Sequence, residues 1–208
     1  MLAGHYATAL VANQKFGSLE GSRVNSKVLF YFLVASQFPD LLWVVFHFMG
    51  LEPTTPDSLL DMTLKTLTVD MSFSHDLIPA LFWTVVVYAA GRLLFSKAIG
   101  LAGGCLVVIH TAADYAAGYP HHLCGANTPS IGFAAYHSVP MIAVAWEAAF
   151  TVVALFLFFE GERKSGIRRT GWNAFTIVGL FVSNVLFMAF LAYSSLRQQF
   201  NLEIATAS

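Results

Sequence analysis

A hydrocarbon core of about 30 Å takes roughly 20 helical residues to cross. Five stretches of this chain are that long and that apolar: 28–51, 77–95, 98–117, 139–159 and 172–196. In lipid their backbone groups have no water to bond, so each run must close its hydrogen bonds within itself as a helix. Alternation at strand period is absent, which argues against a barrel. The expected fold is all-α, a polytopic helical membrane bundle of five transmembrane helices. A sixth apolar segment, Leu2 to Asn13, is too short to cross and is expected as an N-terminal half-span helix. It lacks a basic n-region and His5 interrupts it, so it reads as retained rather than cleaved.

Composition agrees. Of 208 residues 57% are hydrophobic and 11% charged, against roughly 25% charged in a soluble domain. Eleven Lys and Arg against twelve Asp and Glu leave a formal charge of -1, so no positive field attracts nucleic acid phosphates. The partners expected are membrane lipids, with a membrane protein or a second copy of the chain as further candidates. No repeat or low-complexity linker divides the sequence, and residues 1–208 read as one integral-membrane domain. Cys105 and Cys124 make no disulfide framework.

Basic residues orient the helices. Lys15, Arg23, Lys27, Arg92, Lys97, Arg163, Lys164, Arg168 and Arg169 fall in segments 14–27, 92–97 and 160–171, and only Lys65 and Arg197 fall in the alternate ones. Cytoplasmic loops are enriched in Lys and Arg, so those three segments are expected inside and the C-terminus outside.

Polar groups within the spans share one depth. Asp40 lies 13 residues beyond Lys27, His110 and Asp114 lie 13 and 17 beyond Lys97, and His75 lies 17 before Arg92. At 1.5 Å per residue these depths are roughly 20 to 25 Å. Glu147 reaches the same layer, and so does His5 if the first helix enters from the cytoplasmic face. His110 and Asp114, four apart, project from one face of a helix, a spacing suited to two ligands of one metal. A lone intramembrane histidine or acid is commonly an interhelical hydrogen-bonding group, the reading preferred for His47 and for Glu147 taken singly. Four such groups at one level instead favour a divalent metal. His121, His122 and His137 read as solvated loop residues or as groups behind the ligands. Asn184 reads as helix-packing glue and Gly100 with Gly104 as a small-residue contact. Pro39 is expected to kink its span and to turn a freed carbonyl toward the polar cluster.

In order along the chain these segments resemble the YdjM-like family of inner-membrane, metal-dependent hydrolases. Gly4-His5 on a short apolar helix is similar to the family's opening Gly-His. Pro39-Asp40 is similar to its Pro-Asp-x-Asp, with Leu42 in place of the second aspartate. Ser74-His75 matches the second half of its His-Arg-Gly-x-Thr-His-Ser, while Asp70 and Met71 stand where the family has His-Arg. His110-Thr111-Ala112-Ala113-Asp114 matches its His-x-x-x-Asp, and Thr128-Pro129-Ser130-Ile131-Gly132 is similar to the Thr-Pro-x-Gly that trails it. The likeness covers residues 4 to 140. It implies a metal held by His5, Asp40, His75, His110 and Asp114, with Asp70 as a substitute ligand, in a bacterial inner membrane.

The function expected is a metal-dependent hydrolase of an amphipathic or lipid-linked substrate, using a metal-activated water. Zinc is the first choice of metal, with manganese or iron as alternatives. Glu147 or Asp70 is the expected general base. No serine triad, reactive thiol arrangement or phosphate loop competes. The alternatives are a non-catalytic subunit whose His/Asp cluster is structural, and a proton or ion pathway lined by Asp40, Asp114 and Glu147.

Overall fold

The computed structural model describes residues 2–17, 25–56, 58, 60–167 and 170–200, and in these the chain is overwhelmingly helical. Helix α1 (Leu2–Phe16) has 15 residues, about 22 Å at 1.5 Å per residue and too short to cross. The first expected span is not one kinked helix. It is divided at Gln37 into α2 (Ser26–Ser36) and α3 (Phe38–Phe48), bent by 63°. Pro39 supplies the reason: it has no amide to continue α2, and it sits at the start of α3, where none is needed. Gln37 closes α2 by donating its amide to the Val34 carbonyl. The Ser36 carbonyl faces inward and accepts from His110 Nδ1 at 2.8 Å, as the expected kink required.

A short antiparallel pair, β1 (Thr54–Thr55) and β2 (Thr68–Val69), follows. Then come α4 (Leu77–Leu94) and α5 (Lys97–Ala117), a helical hairpin turning at Phe95 and Ser96. A second antiparallel pair, β3 (His121–His122) and β4 (Ser130–Ile131), leads through the single turn α6 (Ala135–Ser138) into α7 (Pro140–Lys164). The chain continues with α8 (Gly171–Leu191) and α9 (Leu196–Phe200). Helices α4, α5, α7 and α8 are each long and apolar enough to cross a membrane, and there are five such spans if the bent pair α2–α3 counts as one. Four to five such helices are compatible with an integral membrane protein.

The helices bury small and polar residues alongside part of their apolar ones and turn many large apolar side chains outward. Helix α5 buries Gly100, Gly103, Gly104, His110, Thr111 and Asp114 while Leu101, Val108 and Ile109 face outward. Helix α8 buries only Leu191 and presents Trp172, Phe175, Leu180 and Leu186 to its surroundings. Helix α1 runs parallel to α7: Ala3 meets Glu147 and Gln14 donates to the Phe158 carbonyl. It therefore starts deep in the bundle and ends near Gly161. Lys27 and Phe95 line one cleft, so the start of α2 and the α4–α5 turn share that pole. The two β pairs occupy the other, where Arg197 donates to Asp61 and Leu64 to the Leu191 carbonyl. Arg23, Arg168 and Arg169 lie outside the described residues.

Small residues let α4 and α5 approach. A Cβ on Gly100 would come 2.5 Å from the Tyr88 carbonyl oxygen, so the glycine contact expected from sequence is real. Tyr31 lies against Gly91 and Gly103 and donates to the Val87 carbonyl at 2.9 Å. Because any Cβ on Gly103 would overlap that phenol, Gly103→Leu is expected to cost about 1–3 kcal/mol. An SDS titration of the detergent-solubilised protein reads it as a lower unfolding midpoint. An unchanged midpoint would mean that the contact tolerates side-chain volume.

Candidate metal centre

Three segments converge at the β-pair pole of α5. Helix α5 contributes His110 and, one turn on, Asp114. The first turn of α3 contributes Asp40, brought inward by the break at Gln37. The residue two positions before α4 is His75. One ligand atom from each of these four lies within 4.8 Å of every other, and this is the one such group among the described residues. His75 Nε2 stands 3.3 Å from Asp40 Oδ1 and 3.6 Å from Asp114 Oδ2. His110 Nε2 stands 3.1 Å from Asp114 Oδ2, 3.7 Å from Asp40 Oδ1 and 3.4 Å from His75 Nε2. A tetrahedron with bonds of about 2.0–2.1 Å has edges of about 3.3–3.4 Å. Five of the six separations lie near those edges, and the sixth, between the two carboxylates, is within 4.8 Å, so the four side chains could hold one ion.

The hydrogen bonds behind the imidazoles decide which nitrogens face the centre. A carbonyl oxygen can only accept, so His110 Nδ1 carries the proton it gives to Ser36. Ser74 Oγ donates to Glu52 Oε1 at 3.1 Å, which leaves it to accept from His75 Nδ1 at 2.7 Å. Glu52 is held in turn by the Phe73 and Ser74 amides, at 2.7 and 2.8 Å. The Tyr115 hydroxyl fixes the His75 carbonyl at 3.0 Å. In the neutral rings both Nε2 atoms thus present lone pairs to each other and to two carboxylates. Four acceptors facing one point repel unless a cation lies between them. Protons on both rings would set two N–H groups against each other at 3.4 Å, whereas one divalent ion neutralises both carboxylates. The donor set suits a metal ion.

Such outer partners orient metal-binding imidazoles, and losing one typically costs 10–100-fold in affinity. Ser74→Ala, which cuts the link from His75 to Glu52, is expected to weaken metal binding by about that factor. Competition with a chromophoric chelator measures it, and wild-type affinity in the variant would show that the ring needs no such support.

Other residues singled out in the sequence take different places. His5 stacks on His110, ring centroids 3.8 Å apart, and its Nε2 lies 3.4 Å from Asp114 Oδ1. It stands beside the group of four and meets the other oxygen of Asp114. Glu147 is not brought into the group: Oε1 accepts from the Ala3 amide at 2.8 Å and Oε2 from the Tyr136 hydroxyl at 3.4 Å. Nor is Asp70, whose Oδ1 accepts from the Ser72 amide and hydroxyl, at 3.0 and 2.6 Å. It lines a cleft shared with Asp76 on the far side of Val69 and Met71. His47 packs beside Trp43, and His137 Nε2 bonds the Leu67 carbonyl at 2.7 Å.

One residue was not singled out by sequence, and another takes the second of its two expected places. Asp76 accepts from the His122 amide at 2.8 Å and from the Gly125 amide at 2.5 Å, clamping the β3 loop next to the cluster. His121, expected as a solvated loop residue or as a group behind the ligands, is buried behind His75. Its ring stacks on His75 and packs against Tyr115, and neither nitrogen has a hydrogen-bond partner. Burial, with His75 alongside, pushes its pKa down to about 3, so the ring is neutral near pH 7. Nothing local in Tyr119-Pro120-His121-His122 marks this, because the clamp lies 46 residues away in sequence.

Asp40 and Asp114 both line a cavity of about 390 Å³ that also meets Tyr119, His121 and the end of α8. A larger apolar groove of about 510 Å³ runs between α1, α5 and α7 and touches none of the four ligands. The chemistry is therefore assigned to the smaller cavity. Comparison with protein-family models, with curated proteins and with solved structures gives no match for this chain.

Proposed function

We propose that the protein is a membrane-embedded, metal-dependent hydrolase acting on an amphipathic or lipid-linked substrate. One observation carries the reading: two imidazoles whose Nδ1 protons are committed elsewhere turn bare Nε2 atoms toward two carboxylates, with all four ligand atoms within 4.8 Å of one another. Tetrahedral nitrogen and oxygen ligation favours zinc, with manganese or iron as the other metals this donor set accepts. When bound, zinc polarises a substrate oxygen and lowers the pKa of an attached water to about 7. Asp40, with a side chain 31% exposed, and Asp114 set the cavity-facing edge of the ligand group. Catalytic zinc sites keep one position open, and with His75, His110 and Asp114 as three ligands a water beside the partly exposed Asp40 would fill the fourth. The apolar walls of the cavity exclude bulk water and accommodate a chain. The resemblance to the YdjM-like family supports the same class. By the positive-inside rule the pole of Lys27 and Lys97 is cytoplasmic and the cavity opens toward the far leaflet of a bacterial inner membrane.

Fluorogenic long-chain carboxylic and phosphate esters in micelles test the activity. Turnover should vanish on chelation, return with zinc and fall at least about 100-fold in His110→Ala, more than outer-sphere changes usually cost. Turnover indifferent to chelator, or none from zinc-loaded protein on any of these esters, would contradict the proposal.

A further inference from the structure

The walls of the cavity define what it can hold. It measures about 390 Å³, within the range of roughly 300–1,000 Å³ common to ligand sites. Leu41, Trp43, Val44, Met62 and Phe187 make most of its surface apolar. Among the described residues that line it, Asp40 and Asp114 are the only acids and none is Lys or Arg. The two carboxylates already balance a divalent ion, so the site as a whole is electrically neutral. A phosphate group brought there would be a buried anion with no cationic side chain beside it, an expensive arrangement in a low-dielectric pocket.

Three residues that line this cavity hold buried polar atoms without a hydrogen-bond partner: His121, Tyr119 and Trp43, the last through its indole Nε1. His121 is 1% exposed with both ring nitrogens unbonded, and the buried Tyr119 hydroxyl has no partner either. Buried donors left unsatisfied cost about 1–3 kcal/mol each, and native structures tolerate few of them without a ligand or a functional reason. An imidazole N–H and a phenol O–H can both donate to a carbonyl oxygen.

We infer that the cavity receives a neutral long-chain acyl lipid, its ester or amide carbonyl at the Asp40–Asp114 edge and within reach of His121 and Tyr119, rather than a phosphate ester. This rests on the hydrolase reading above and narrows its substrate class. The hydrolysis it implies joins the water oxygen to the carbonyl carbon and breaks that carbon's bond to the leaving oxygen or nitrogen. The leaving atom takes up a proton from the water, and the products are a fatty acid and an alcohol or amine.

The test uses the full chain in phosphatidylcholine nanodiscs and two photoreactive probes with the same diazirine-bearing sixteen-carbon chain. One ends in an N-methyl amide and the other in a phosphate monoester. The amide should label peptides of α3 and of residues 62–71, with half-saturation at least tenfold below that of the phosphate. His121→Ala should raise the amide's half-saturation about tenfold, the loss of roughly one buried hydrogen bond, without changing metal content. Tyr119→Phe, which keeps the ring packed, should act in the same direction. Equal or tighter labelling by the phosphate probe, or both variants labelling like wild type, would overturn the inference. Metal analysis of the same samples separates the two claims. Metal-loaded protein that prefers the phosphate probe sinks the acyl assignment alone, whereas metal-free protein that still selects the amide sinks the hydrolase reading and leaves the ligand class standing.

Discussion

Asp114→Asn is expected to release the bound metal, with affinity falling at least about 100-fold, beyond the range of outer-sphere changes. The reason lies in how one carboxylate is shared. Its Oδ2 sits 3.1 Å from His110 Nε2 and 3.6 Å from His75 Nε2, and its Oδ1 sits 3.4 Å from His5 Nε2. Asparagine keeps the shape but gives up the negative charge, so the ion would be bound by two neutral rings and a single acid. The amide's NH2 group also cannot serve both imidazoles as an acceptor. Loss of metal removes the stabilisation that binding gives the folded state, RT ln(1 + [L]/Kd). The variant should therefore lose the rise in melting temperature that added zinc gives the wild type. Metal retained at wild-type stoichiometry after dialysis would mean that Asp114 is not a ligand.

Glu147 carries the second large effect, and it separates two roles. The first four amides of a helix have no partner within it. Glu147 supplies one to Ala3 from within α7 and places a negative charge at the start of α1, where the helix dipole favours it. Glu147→Ala strands the Ala3 amide and the Tyr136 hydroxyl, at about 1–3 kcal/mol for each buried group, and leaves a void in place of the side chain. We expect a loss of about 2–5 kcal/mol in total, read as a lower midpoint in an SDS titration. Glu147→Gln retains a carbonyl acceptor for Ala3 and should cost under about 1 kcal/mol with hydrolytic turnover intact. A general base would give the opposite pattern: Glu147→Gln would fold normally and be inactive.

Much of the architecture could be read from hydropathy, because a bilayer leaves a long apolar segment few options beyond a helix. The expected spans 77–95, 98–117, 139–159 and 172–196 coincide with α4, α5, α7 and α8 to within about five residues. Pro39 announced a disturbance, yet the 63° turn at Gln37 depends on what the two halves pack against, and a periodic pattern does not encode that. Within the site, His110 and Asp114 were legible since helical spacing alone puts them on one face. Asp40 and His75 were legible by depth. Glu147 shares that depth and bonds elsewhere, so depth finds the layer and not the partner. Asp70 was placed by resemblance, and its side chain turns to Ser72 in the loop after β2. The roles of Glu52 and Ser74 and the burial of His121 stayed hidden because they arise from contacts across irregular segments. Residues 52 and 74 meet only when β1 and β2 pair, and His121 is buried only when Asp76 clamps its loop. Neither contact leaves a periodic trace.

X-ray absorption at the metal edge, on protein purified from membranes without added metal, tests the convergence of these four side chains most directly. One equivalent of zinc with a first shell of nitrogen and oxygen at about 2.0–2.1 Å, two of the scatterers imidazole and none sulfur, is the expected result. Its loss in both His110→Ala and Asp114→Asn would tie that shell to α5. Less than about a tenth of an equivalent of any transition metal, or a shell unchanged in those variants, would contradict it.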